Sequence, residues 1–96
     1  MLHLTLRQLK VFESVARHLS YSRAADELHL TQPAVSMQIK QLEDNISLSL
    51  FEQLGKRIYL TEAGRELYQY SRLISQQLTD MEVALDELKG MERGKL

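Results

Sequence analysis

The 96-residue chain contains no cysteine, one proline and four glycines. Without cysteine there is no disulfide framework, no thiolate zinc site and no Cys nucleophile. So little proline and glycine leaves small room for a strand-rich, turn-rich fold. Uninterrupted apolar runs stop at two or three residues, as at Ala24-Ala25, which is too short to span a membrane. Met1-Leu2-His3-Leu4 has neither the basic flank nor the apolar stretch of a signal peptide. A dominant charge is missing too: twelve Lys and Arg face thirteen Asp and Glu, for a net of -1. What is present, 44% hydrophobic and 26% charged residues, is ordinary globular composition and not that of a disordered chain. The expectation is a soluble, intracellular, mainly helical protein.

Helical spacing is visible first at Leu6, Leu9, Phe12, Val15 or Ala16, and Leu19. Thr5 and Gln8 form a capping box, so a first helix is expected from Leu6 to His18. Ser20-Tyr21-Ser22 breaks it, and Ser22 is placed to cap a second helix from Arg23 to Leu28. Thr31 caps a third, from Gln32 to about Asp44, with Pro33 in its first turn, where a missing N–H costs nothing. At about 100° per residue, Val35, Ile39, Leu42 and Ile46 share a stripe about 60° wide that forms the core face. Gln32, Pro33, Ser36, Met37 and Lys40 occupy the arc beside it.

The period then changes. Phe51 and Gln53, followed by Ile58-Tyr59-Leu60, flank Leu54-Gly55-Lys56-Arg57, and Gly55 can supply the positive φ of a tight turn. This is a two-stranded wing, too short to be stable without the helices. From Glu62 helical spacing returns: Leu67, Ser71, Ile74, Leu78, Met81, Leu85 and Leu88 recur every 3.5 residues, with Tyr70 compensating for Ser71. Such a rod, about 42 Å long up to Lys89, cannot bury its seam on a head of about 60 residues. A second copy of the chain is the expected cover, with Leu67, Ile74, Leu78, Met81, Leu85 and Leu88 at the interface. Gly90, Arg93, Gly94 and Lys95 resemble a helix stop and an exit. The expected division is a head over 1–61, a linker helix over 62–90 and a hinge over 91–96.

A short helix, a tight turn and a second helix with a polar, acid-free N-terminal face make a helix-turn-helix. Ala24, Ala25 and Leu28 are small or apolar enough for helix two to cross closely over Val35 and Ile39. In the DNA-binding version helix three enters the major groove. Its chemistry suits that role: Gln32 can bond adenine bidentately, Ser36 can donate or accept, and Lys40 can reach a phosphate or guanine. Pro33 and Met37 complete the base-facing set. Arg7, Ser22, Arg23, Thr31 and Lys40 are candidates for backbone contact, and Gln53, Lys56 and Arg57 for the wing's contact. By residues alone, a Gln/Ser/Lys face is equally what a solvated helix shows, and the seam can pack within its own chain.

Overall charge argues against DNA, since a pI near 6.3 is far below the value of about 9 expected of a DNA-binding domain. Distribution softens this: residues 1–61 carry seven basic and six acidic side chains, whereas residues 62–96 carry five and seven. His3, His18 and His29 share no metal-ligand spacing. No acid, base and nucleophile can be assembled, so an enzyme is not expected, and no cofactor is expected in this fragment. The alternative to a DNA-binding module is a helical adaptor, whose head and rod dock on another protein.

The run Ser22-Arg23-Ala24-Ala25, Leu28, Thr31 to Ser36, Gln38-Ile39, Leu42-Glu43, Leu50-Phe51-Glu52 and Leu60 to Gly64 resembles the LysR-type transcriptional regulators. Within that family the chain is most similar to regulators of carbon-dioxide-fixation (rubisco) operons. The resemblance implies a winged helix-turn-helix, a linker helix that pairs in a homodimer, and a bacterial or plastid cytoplasmic setting. It further implies binding to an imperfect inverted repeat in double-stranded promoter DNA. A C-terminal domain absent from this chain would bind a small-metabolite effector and assemble tetramers. Three positions depart from the family pattern. Met37 stands where many relatives are basic, Gln53 where a wing arginine is frequent, and Ser47 where glycine is usual. A positive φ at Ser47 would cost about 1 kcal/mol.

Overall fold

A computed structural model describes residues 3–94. Among them lie helices α1 (Leu6–His18), α2 (Tyr21–Leu28), α3 (Gln32–Ile46) and α4 (Glu62–Gly94), with strands β1 (Phe51–Leu54) and β2 (Arg57–Leu60) between α3 and α4. The architecture is mainly α, a winged helix-turn-helix followed by a long helix. Met1-Leu2 of the N-terminal segment, and Lys95-Leu96 of the expected hinge, lie outside the described residues.

α1 starts where its capping box puts it. The Thr5 hydroxyl accepts from the Gln8 amide, and the Gln8 side chain accepts from the Thr5 amide, each at 3.1 Å. Its buried face is Leu9, Val11, Phe12, Val15 and Ala16. Leu6 and Leu19, expected in that face, are exposed. Leu6 sits about 120° around the axis from Phe12, and Leu19 has left the helix as a left-handed C-cap with φ 49°.

That reversal at Leu19 also moves the start of α2. Ser20 is already extended, and its hydroxyl accepts from the Arg23 amide at 3.1 Å. Ser20, not Ser22, is therefore the cap, and α2 begins two residues earlier than the sequence suggests. Ala24 and Ala25 are buried, letting α2 pack against α3 at Val35 and Ile39. α3 is capped by Thr31, whose hydroxyl accepts from the Ala34 amide at 3.2 Å, and runs to Ile46. Ser47 closes it at φ 60°, the left-handed conformation anticipated for that position.

Phe12, Val15, Ala24, Val35, Leu42 and Leu50 form the fully enclosed centre of the head. Phe51 roots the wing in it, with its ring 5.5 Å from Phe12 and 5.9 Å from Tyr21. The strands pair antiparallel in the register Phe51 to Leu60 and Leu54 to Arg57. The two-residue turn between them has φ 65° at Gly55, as a hairpin turn with a positive first position requires.

The entry to α4 is tied to the strand entry. The Thr61 amide donates to the Leu50 carbonyl at 3.0 Å, and the Thr61 hydroxyl donates to the Ser49 carbonyl at 2.6 Å while accepting from the Gly64 amide. α4 then packs along α1. Leu67, expected at the seam between copies, packs instead against the core of its own head. Ser71 is 1% exposed, so it is a small residue at a helix crossing and not a gap in the seam, and Tyr70 beside it stays exposed. Gly90 does not stop the helix, which continues through Arg93 to Gly94. A glycine inside a helix costs about 1 kcal/mol and does not by itself end it. Beyond Leu78 the side chains of residues 79–91 are all exposed, so the helix projects from a molecule 61 Å long. No described helix is long and apolar enough to cross a membrane.

Candidate nucleic-acid interface

Burial of Val35, Ile39 and Leu42 turns the opposite face of α3 outward. Gln32, Pro33, Met37 and Lys40 are exposed there and Ser36 is half-buried, so this ridge is not covered by other described segments. Met37 keeps 55% of its surface in solvent, an apolar side chain on an otherwise polar ridge. Thr31 is exposed at the foot of the ridge, with its hydroxyl engaged as the α3 cap.

Beside the ridge an open cleft of about 520 Å³ separates α3 from the wing. Ser22, Gln32, Ser36, Gln53 and Lys56, drawn from four separate segments of the chain, line it together. Lys56 is the only charged side chain in the described lining. Lys40 follows Ser36 by one turn on the same ridge and borders a second open depression, shared with Ser36, Glu43, Asp44 and Ser47. Arg23 is exposed on α2 and Arg7 on the first turn of α1. Neither is among the described lining of these two clefts.

The wing splits its two faces between different residues. Side chains alternate along a strand, so the pairs Phe51–Leu60 and Gln53–Ile58 share the face turned toward the helices. Leu54 and Arg57 are on the outer face. Gln53 therefore borders the cleft, as does Lys56 in the turn, whereas Arg57 stands away from it. The Gln53 amide also donates to the Gly55 carbonyl at 3.3 Å, bracing the turn.

Two acids near the helix-turn-helix are occupied elsewhere. Glu27 on α2 accepts from Arg17 at 2.6 Å and from the buried Ser14 hydroxyl, both on α1. The Arg17 guanidinium, and next the Ser14 hydroxyl, hold the Glu27 carboxyl down to about 2. Arg17 is itself pushed up by Glu13 and then Glu27. Glu43 accepts from the Leu50 amide at 2.7 Å, clamping the strand entry to α3. The Tyr21 phenol, at the border of both clefts, is pushed up by burial and then by Glu43. This α1–α2 clamp escapes sequence reasoning because Ser14, Arg17 and Glu27 share no spacing that announces it.

On α4, Ile74, Met81, Leu85 and Leu88 are exposed along one face and Leu78 is half-buried. Leu73, Ile74, Leu78 and Met81 border a shallow, mainly apolar depression of about 380 Å³. An apolar row of this length is unusual on a surface left to water. Among the described residues no cluster of three or more His, Cys, Asp or Glu is arranged to hold a metal.

Residues 6–65 match the model of a family described as bacterial regulatory helix-turn-helix protein, lysR family. A RuBisCO operon transcriptional regulator of Allochromatium vinosum is 66% identical over 95 residues, covering 99% of this chain and 32% of that protein. The HTH-type transcriptional regulator CbbR of Rhodospirillum rubrum is 54% identical over 91 residues, covering 95% of this chain and 30% of that protein. The chain thus spans about a third of the length of these curated relatives. Among solved structures, the BenM_DBD/catB site 1 DNA complex superposes with a TM-score of 0.85 at 29% identity, over 88% of this chain and 96% of that one. The CbnR_DBD-DNA complex gives 0.80 at 30% identity, over 88% and 97%.

Proposed function

The chain belongs to the lysR family of bacterial regulatory helix-turn-helix proteins, and we propose that it is the sequence-specific, dimeric DNA-binding module of a transcriptional regulator of carbon-fixation (rubisco) genes. The observation that carries this reading is the uncovered ridge of α3 standing beside a wing cleft lined by Gln32, Ser36, Gln53 and Lys56. The α3 ridge lies in the major groove, with Gln32, Pro33, Ser36 and Met37 toward the base edges. Phosphate contacts by Lys40, Lys56 and the start of α2 set its register. The relatives named for the RuBisCO operon support the choice of target genes. The similar BenM_DBD and CbnR_DBD chains, solved in complex with DNA, support the choice of ligand.

Pairing of two copies through Ile74, Leu78, Met81, Leu85 and Leu88 covers the exposed row on α4. It also presents two α3 ridges to the half-sites of an imperfect inverted repeat. It doubles the phosphate contacts, which offsets the near-neutral charge of the head. A small-metabolite effector and assembly into tetramers belong to a C-terminal domain outside these 96 residues. The setting is cytoplasmic, and the role is binding rather than catalysis.

A footprint on the upstream control region of a rubisco operon, with affinity titrated over a range of salt, tests the reading. The expected result is a protected inverted repeat and an affinity that falls linearly in log salt, by about 0.9 per phosphate neutralised. A salt-insensitive interaction, as apolar docking of an adaptor would give, contradicts it.

A further inference from the structure

Gln32 and Ser36 stand one turn apart on α3, and the Gln32 amide nitrogen donates to the Ser36 hydroxyl oxygen at 3.1 Å. Gln32 is exposed and Ser36 half-buried, and both line the cleft beside the wing. A glutamine held only by water samples many rotamers, and freezing one on binding costs affinity. Here the side chain is tied to its own helix before any ligand arrives.

An amide group carries two N–H donors and one carbonyl oxygen. When the N–H turned away from the carbonyl is given to Ser36, the other N–H and Oε1 remain side by side on the free edge. A donor beside an acceptor complements the N7 acceptor and N6 amino donor of adenine. It mismatches guanine, whose N7 and O6 both accept.

We propose that Ser36 is a positioning residue for Gln32, holding its amide ready for adenine, rather than an independent reader of a base. Ser36 has this role only if α3 reads DNA as proposed above. Removing the hydroxyl releases Gln32 into its other rotamers and lowers the adenine preference at one base pair. Phosphate contacts, and with them non-specific binding, are left as they were.

The test uses the 96-residue chain. Selection from a random-sequence duplex library defines the preferred half-site, and duplexes with all four base pairs at the Gln32-dependent position are then titrated. Ser36→Ala is expected to lose up to about tenfold of the adenine preference at that position. Ser36→Thr, which keeps the hydroxyl, retains it. The double variant Gln32→Ala/Ser36→Ala is no worse than Gln32→Ala alone. Additive losses in the double variant, or a Ser36→Ala loss at a different base pair, overturn the positioning role. A wild-type chain with no preference for any sequence overturns the DNA-reading role of α3 itself, an outcome distinct from additive losses.

Discussion

Gly64 in the first turn of α4 lies so close to Leu50 that a Cβ at Gly64 would overlap the Leu50 carbonyl oxygen and come within 3.0 Å of the Leu60 side chain. That oxygen already accepts from the Thr61 amide and cannot move without undoing the junction between head and helix. Gly64→Ala is expected to destabilise the chain by about 1–3 kcal/mol, lowering Tm by several degrees. In an ordinary helical position the same change would stabilise by about 1 kcal/mol. The sign of the Tm change in thermal denaturation therefore decides the matter.

The clamp between α1 and α2 makes stability depend on acid. The Glu27 carboxyl is depressed to about 2 by Arg17 and Ser14, from an unfolded value near 4.5. Its contribution is complete above about 4.5 and is lost as pH falls toward about 2. Because the Glu27 side chain keeps 37% of its surface in solvent, screening holds that contribution to about 1 kcal/mol or less. Chemical denaturation of Glu27→Gln and wild type should show a gap at pH 7 that narrows as pH falls below about 4.5 and is lost only as pH passes through about 2. A gap that is constant with pH would mean that the carboxylate charge contributes nothing.

Ser47 offers a stabilising change. It adopts φ 60° at the end of α3 with a side chain that glycine would not carry. Ser47→Gly should raise stability by about 0.5 kcal/mol, the left-handed penalty less the extra freedom of glycine in the unfolded chain. An unchanged or lowered denaturation midpoint would show that no strain resides there.

Leu67 and Leu78 share the 3.5-residue row but not the same neighbours. Leu67 and Leu78 are both half-buried, but Leu67 packs against the core of its own head and Leu78 does not, and Leu85 is exposed. Leu78→Asp or Leu85→Asp should leave the head folded and yield monomers in sedimentation. Leu67→Asp should lower the melting temperature instead. A dimer that survives both Leu78→Asp and Leu85→Asp would remove α4 from the interface.

Local rules were enough for much of the fold. The Thr5–Gln8 box, the Thr31 cap followed by Pro33, the core stripe of α3 and the positive φ at Gly55 all depend on residues within a turn of one another. Where the sequence misleads, two similar signals compete. Ser20 and Ser22 are equally good caps, and only the left-handed Leu19 decides between them. Leu67 and Ser71 keep the period of the exposed row because a helix packed first on its own head and then left bare has one continuous spacing. The exposed set on α3 is legible from periodicity. Its partnership with Gln53 and Lys56 across the cleft, and the separation of Arg57 from them, arise only from strand register and folding.

Affinity of the wild-type chain, Gln32→Ala and Lys56→Ala, measured at fixed salt on the selected half-site and on a scrambled duplex, tests most directly whether the α3 ridge reads bases. Gln32→Ala should lose about 1–3 kcal/mol on the selected site alone, while Lys56→Ala should weaken binding to both duplexes alike. Equal losses on both duplexes for Gln32→Ala would contradict a base-reading role for the ridge.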